Sequence, residues 1–350
     1  MTQTKKIKDT LNKVLLNNDT VFIVPHFHPN PDFDALGAVL GISLICKKYK
    51  KKAYIIIDTD INKFGTEERK VVEYLASEYN VVNSKLASEL ITDKSAMIAV
   101  DVSRHNLLSD GINALIPKFN DIFILDHHKE DEYVIDCKYK FIDPSLSSTC
   151  EEIARLLFAY GVKFGPNISN CLVAGIALDT NKLTKNAGEN TFAVISKLIV
   201  KGADVTSVNN MFSEDYESDK RMLHIVKDVV FPTHVYGIAG GSGEKVIYTP
   251  EDIAKAADYL LKYKILASFA LGYIDEETVS ISARSKGGVD VSSIMKYFGG
   301  GGNEYSAAAR VKGMSIDEIK IHLDYLLNPA TYLKSADLSM DEAMKLRLTK

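Results

Sequence analysis

The chain has 350 residues, 46% hydrophobic and 25% charged, with a formal net charge of −4. That balance admits a sizeable core in one large or two medium domains, and it excludes a polycation that holds nucleic acid by bulk charge. No apolar run reaches the ~20 residues that span a bilayer, the opening MTQTKKIKDTLNKVLL reads as an amphipathic helix rather than a signal peptide, and Cys46, Cys137, Cys150 and Cys171 form no C-x-x-C pair, so a cytoplasmic protein with reduced thiols is expected.

Short apolar runs then alternate with helical patterns. The runs are VFIV (21–24), AYIII (53–57), AMIAV (96–100) and DIFIL (121–125). None alternates with polar residues, which is how a strand buried on both faces reads. Amphipathic segments lie between them, at Asp34–Tyr49 and Glu67–Tyr79. The alternation predicts an α/β domain with a parallel sheet and helices on both faces. Helical patterns continue over Glu151–Tyr160, Ser169–Asp179 and Thr191–Lys201, the last stopped by Gly202. After about residue 215 the character changes to a smaller α+β domain. HVYGIAGGSGEKVIYT reads as a hairpin with glycines at its turn, and Pro250–Lys262 as a helix. ILASFALGYIDEETVSISAR reads as two strands about an acidic turn, VDVSSIMKYFGGGG as a helix running into a glycine loop, and Ser315–Leu327 as a final helix. The expected domains are 1–215, ending in a connecting helix, and 216–332, followed by a polar tail over 333–350.

Each early strand candidate is followed by acid or histidine. VFIV leads to His26, His28, Asp32 and Asp34; AYIII to Asp58 and Asp60; AMIAV to Asp101; DIFIL to Asp126, His127 and His128. Ligand sites in open parallel sheets form beyond the carboxyl ends of the strands, so distant segments can meet in one crevice. Asp58 and Asp60 read as turn or capping residues. The other three groups mix imidazole with carboxylate and lack counter-charges. A pair of divalent cations relieves that repulsion, and the donor set suits Mn²⁺, with Mg²⁺, Zn²⁺ or Fe²⁺ as alternatives. Two such ions clamp a phosphoester for attack by an activated water.

Five motifs together carry a resemblance. H-x-x-P-D-x-D-A stands as His28 to Ala35, D-x-S as Asp101-Val102-Ser103, and D-H-H as Asp126-His127-His128. G-I-x-x-D-T stands as Gly175 to Thr180, and a glycine run covers Gly299, Gly300, Gly301 and Gly302. From about residue 15 to 330 the chain resembles the DHH-family phosphoesterases with a DHH-associated C-terminal domain, of the nanoRNase/pAp-phosphatase or cyclic-di-AMP phosphodiesterase type. The resemblance implies that His28 and Asp32 hold one metal ion, that Asp34, His127 and Asp179 hold another, and that Asp101 bridges them. It implies that His128 contacts the scissile phosphate or orients the metal ligands and that Asp126 supports the ligands from behind, while His26, outside the motif, packs or supports. In the second domain it implies a phosphate clamp at Arg284 and close backbone approach to a nucleotide at the glycine run. Asn303 follows that run where the family has histidine, and Thr180-Asn181-Lys182-Leu183 stands where the family has T-G-x-F. Both departures fall on the substrate side.

The implied activity is hydrolysis of oligoribonucleotides of 2–5 residues, pApA, pAp or cyclic di-AMP, with two Mn²⁺ ions as cofactor. Alternatives are a manganese-dependent inorganic pyrophosphatase and a nucleotide-binding sensor without turnover. Short RNA or a small nucleotide is the expected partner, with no long duplex DNA and no membrane; related short members imply a homodimer.

Overall fold

The computed structural model describes residues 3–28, 30–129, 133–213, 216–240 and 246–328. Pro29, residues 241–245 with the glycines expected at a turn, and the tail from 333 lie outside them. The chain divides into two compact units, Met1–Ser213 and Glu214–Lys350.

The first unit opens with α1 (Gln3–Asn17), β1 (Thr20–Val24), α2 (Phe33–Lys48) and β2 (Lys52–Ile56). It continues through α3 (Thr66–Glu78), β3 (Asn80–Val82), α4 (Ser84–Leu90), β4 (Ser95–Val100) and α5 (Asp110–Asn113). The strands end with β5 (Asp121–Asp126) and β6 (Tyr139–Ile142). Four helices follow: α6 (Thr149–Tyr160), α7 (Pro166–Asp179), α8 (Glu189–Val200) and α9 (Val205–Asn210). The six strands form one parallel sheet in the order β3-β2-β1-β4-β5-β6. All four apolar runs lie in it. Successive residues of each run enter opposite cores. Val21, Ile23, Ile98 and Phe123 pack with α1, α2, α6 and α7, whereas Phe22, Val24, Met97 and Ile124 pack with Ala87, Ile112 and Phe119. A run without polar alternation is therefore what this position demands. The strand order reverses between β1 and β4, the place where open α/β sheets leave a crevice.

Asp58 and Asp60 do what a turn residue does. Asp60 caps a short 3₁₀ turn, and Asp58 accepts the Ser84 N–H at 2.7 Å and the Ser109 hydroxyl.

The second unit contains α10 (Tyr216–Val226), β7 (Tyr236–Gly240), α11 (Pro250–Leu260), β8 (Ala267–Tyr273) and β9 (Thr278–Ser285). It closes with α12 (Val291–Tyr297), β10 (Gly301–Gly302), β11 (Ser306–Lys312) and α13 (Ile316–Leu327). Its sheet order is β10-β11-β9-β8-β7, antiparallel except for β7 with β8. Among the described residues, the two arms of the hairpin expected over 234–249 do not pair with each other. β7 runs parallel to β8, and Ile247 then bridges Tyr273 in the same parallel sense. Both described arms follow one neighbour in one direction.

Candidate metal centre

Adjacent strands deliver the site. β1, β4 and β5 are neighbours, and their carboxyl ends carry His26, Asp101 and Asp126–His128. Asp32 caps α2, its Oδ1 accepting the N–H groups of Asp34 at 2.9 Å and Ala35 at 3.1 Å. That cap turns the chain sharply and brings Asp34 into the first helical turn, fully buried. Asp179 arrives from the far end of α7.

Asp101 lies at the centre. It has a left-handed backbone, φ 58°, at the end of β4, which a non-glycine residue adopts at a cost. Its N–H donates to Leu125 O at 2.9 Å, which keeps it aligned with β5. Its Oδ1 is 3.6 Å from His127 Nε2 and 3.7 Å from His128 Nδ1, while its Oδ2 is 3.8 Å from His26 Nε2. His127 Nε2 is also 3.1 Å from Asp179 Oδ2 and 3.8 Å from Asp34 Oδ2. Among the described residues, the donor atoms of His26, Asp32 and Asp101 form one group able to hold a metal ion, those of Asp34, His127 and Asp179 a second, and those of Asp101, His127 and His128 a third.

The structure brings together Asp32, Asp34, Asp101, His127, His128 and Asp179 of the expected residues. His26 joins the cluster and His28 does not. The Phe27 and His28 N–H groups both bond to Leu107 O, at 2.7 and 3.1 Å, and His28 is exposed with its ring edge against Phe27. His26, two residues past the end of β1, is buried.

Charge in this crevice is unbalanced. Burial pushes the Asp101 carboxyl well above its usual range, and repulsion from Asp34, Asp32, Asp126 and Asp179 adds to it. Burial and then Asp34 push Asp179 up to about 7. For His127 burial acts downward, but Asp179 and Asp34 outweigh it and raise the imidazole to about 9. His127 Nε2 and Asp179 Oδ2 are buried and make no well-formed hydrogen bond. Such a set of orphaned oxygen and nitrogen donors, short of positive charge, fits hard or borderline divalent cations.

Asp126 differs from the other carboxylates. Its Oδ1 accepts the N–H groups of His127 at 2.8 Å and His128 at 3.1 Å, and His128 Nδ1 at 2.8 Å. Burial acts upward on its carboxyl, but the hydrogen bond and charge of His128 prevail and hold it at about 2. Because a carboxylate only accepts, His128 Nδ1 donates and Nε2 is left as the outer nitrogen.

Helix α6 supplies contacts that sequence reasoning missed. The Thr149 and Cys150 N–H groups donate to Asp34 Oδ2 and Oδ1 at 2.7 and 2.8 Å, and Thr149 Oγ1 donates to Asp101 Oδ1 at 3.0 Å. The only signal was S-S-T-C-E-E, which reads simply as a capped helix start. Packing behind Asp34 is equally tight. A Cβ on Gly175 would meet Cys150 Sγ at 2.6 Å, Asp34 Cα at 2.8 Å and Asp34 Oδ1 at 2.9 Å. Gly175→Ala is expected to cost about 1–3 kcal/mol in urea unfolding and to lower activity by displacing Asp34.

In the second unit Arg284 is paired within the fold. Its Nε donates to Asp258 Oδ1 at 3.0 Å and its Nη1 to Ser282 Oγ at 3.0 Å and Ala283 O at 3.1 Å. Gly300 and Gly302 pack against the β11 backbone, where any Cβ would strike Ala308 O or Ser306 O, and Gly302 has φ 143°. Gly299 and Gly301 leave open space instead. Asn303 Oδ1 accepts the Tyr305 and Ser306 N–H groups, each at 2.9 Å, so its carbonyl is committed to the turn.

Residues 20–176 match the model of the DHH family, N-terminal domain, and residues 236–328 match the DHHA1 domain. The chain is 30% identical over 325 residues to the cyclic-di-AMP phosphodiesterase GdpP of Geobacillus thermodenitrificans, covering 91% of this chain and 48% of that protein. It is 29% identical over 327 residues to the cyclic-di-AMP phosphodiesterase PdeA of Listeria monocytogenes, covering 91% of this chain and 48% of that one. The chain thus spans about half the length of these curated relatives. An exopolyphosphatase-related protein from Bacteroides fragilis shares the fold, with a TM-score of 0.78 and 20% identity over 95% of this chain and 100% of that one. Among the described residues no helix is long and apolar enough to cross a membrane.

Proposed function

The chain belongs to the DHH family, with a DHHA1 domain following its DHH domain, and on that premise we propose that it is a metal-dependent phosphohydrolase of small nucleotides. Cyclic di-AMP is the first candidate substrate, on the strength of the relatives' activity. The observation that carries the reading is the pair of donor groups, His26 with Asp32 and Asp34 with His127 and Asp179, set on either side of Asp101.

His26, Asp32 and Asp101 would hold one divalent ion; Asp34, His127, Asp179 and Asp101 the other, with Mn²⁺ suited to both. Bound there, such ions supply Lewis-acid charge at phosphorus and an acidified water. His128 contributes through Nε2, which its bond to Asp126 leaves facing outward. When the ring carries a proton on both nitrogens, Nε2–H would donate to a phosphoryl oxygen where negative charge grows. Asp34 and Asp101 are buried, which strengthens the charge interactions at them, while Asp32 and Asp179 stay partly exposed. In the second unit, the Asn303 amide and the open backbone at Gly299 and Gly301 are proposed to hold the nucleotide. Arg284 would offer phosphate the Nη2 N–H groups that its bonds to Asp258, Ser282 and Ala283 do not use.

Product analysis by chromatography tests this. Cyclic di-AMP, pApA, pAp, RNA dimers to 5-mers and pyrophosphate are offered in parallel, with Mn²⁺ and with chelator. Cyclic di-AMP is expected to open by addition of one water to linear pApA, in Mn²⁺ only. Activity that survives chelation would refute the mechanism, and pyrophosphate as the best substrate would reassign the enzyme.

A further inference from the structure

One turn holds two carboxylates of the site. Thr149, fully buried, offers its backbone N–H to Asp34 and its side-chain hydroxyl to Asp101. The backbone half is an ordinary property of a helix start. The first N–H groups of α6 have no partner inside the helix, and Asp34 satisfies two of them. The hydroxyl half is not generic. A carboxylate turns readily about its Cβ–Cγ bond. Asp101 also sits on a strained backbone, φ 58°, and is repelled by its neighbours. Its two oxygens nonetheless face different partners, Oδ1 towards His127 at 3.6 Å and Oδ2 towards His26 at 3.8 Å. The Thr149 hydroxyl bonds to Oδ1 alone.

We propose that Thr149 is the positioning residue of this centre, its hydroxyl fixing the rotation of the Asp101 carboxylate so that one oxygen serves each donor group. The turn is itself anchored. Glu151, buried, accepts the Ser147 hydroxyl and the Thr191 hydroxyl, the latter at 2.9 Å, and pairs with Arg155. This ties the first turn of α6 to α8. A hydroxyl held that firmly costs no reordering when the site is loaded, and it offers Asp101 a neutral donor where a second cation would compete with the metal.

The inference rests on the metal-centre reading above, and its test separates the two. Thr149→Val keeps the branched shape and both backbone N–H groups but removes the O–H; Thr149→Ser keeps the O–H. Mn²⁺ is titrated into chelator-stripped protein, with free Mn²⁺ followed by electron paramagnetic resonance, well below the urea midpoint of each variant. Wild type and Thr149→Ser are expected to bind two ions with similar affinity, and Thr149→Val to lose about 10–100-fold at one or both. Wild-type affinity in Thr149→Val overturns the positioning role, as does an equal loss in Thr149→Ser. A wild-type protein that binds no Mn²⁺ overturns the metal centre and the inference together. If Thr149→Val does not fold, Thr149→Ala, which adds no bulk, gives the same comparison.

Discussion

Asp101→Asn is expected to abolish turnover while leaving the metal-free fold as stable as wild type, or more so. Asparagine keeps the volume and tolerates the left-handed backbone better than other non-glycine residues. Its carbonyl can still accept the Thr149 hydroxyl. What disappears is the charge between the two donor groups, and with it the oxygen anion that both would share. A loss of ~10³-fold or more in kcat follows, since metal charge at phosphorus is worth several kcal/mol. The stability half has its own sign. The Asp101 carboxyl is raised in the folded state by burial and by four neighbouring aspartates. The native protein therefore holds a proton that the unfolded chain releases, and this group's contribution to stability falls as pH rises above the unfolded carboxyl range. The substitution removes that term. Thermal unfolding of metal-free protein at neutral pH, beside a steady-state assay in Mn²⁺, measures both. A well-folded Asp101→Asn protein with full activity would sink the metal assignment.

His26→Ala should lose at least ~10²-fold in activity, and His28→Ala no more than a few-fold. The contrast follows from burial and distance. His26 Nε2 is 3.7 Å from Asp32 Oδ1 and 3.8 Å from Asp101 Oδ2, and the ring is buried. His28 is exposed, and the N–H groups of residues 27 and 28 both bond to Leu107 O. Alanine at 26 leaves two carboxylates without their imidazole. Alanine at 28 removes a ring that touches Phe27. The reverse pattern, with His28→Ala inactive and His26→Ala active, would restore the ligand that the H-x-x-P-D spacing implies.

The histidine pair shows where linear reading stops. Both histidines follow the same apolar run and lie two residues apart. The spacing to Pro31-Asp32 favours His28, but which side chain reaches Asp101 depends on the path of three backbone residues and on a carbonyl at Leu107. The stretch after β7 shows the same limit in another form. Glycines between two apolar stretches suggest reversal, yet both stretches lie parallel to β8, a neighbour that local periodicity does not name. Asn303 shows it again, since the residue type offers a donor and an acceptor, and only the turn reveals that the acceptor is spent.

Much was determined by the sequence alone. Unbroken Val, Ile and Phe runs can be satisfied only between two apolar layers, so the parallel sheet and its flanking helices follow from burial. Acids and histidines at the ends of those runs have no place in a core and must gather at the sheet's carboxyl edge. The tertiary structure decided which of them meet, because a donor group is defined by distances of a few ångströms between residues far apart in the chain. Thr149 is the clearest case. Its spacing marks a helix start, and its partners lie 115 and 48 residues away, at Asp34 and Asp101. Periodicity encodes whether a side chain is buried; the identity of its neighbours is written only in the packing.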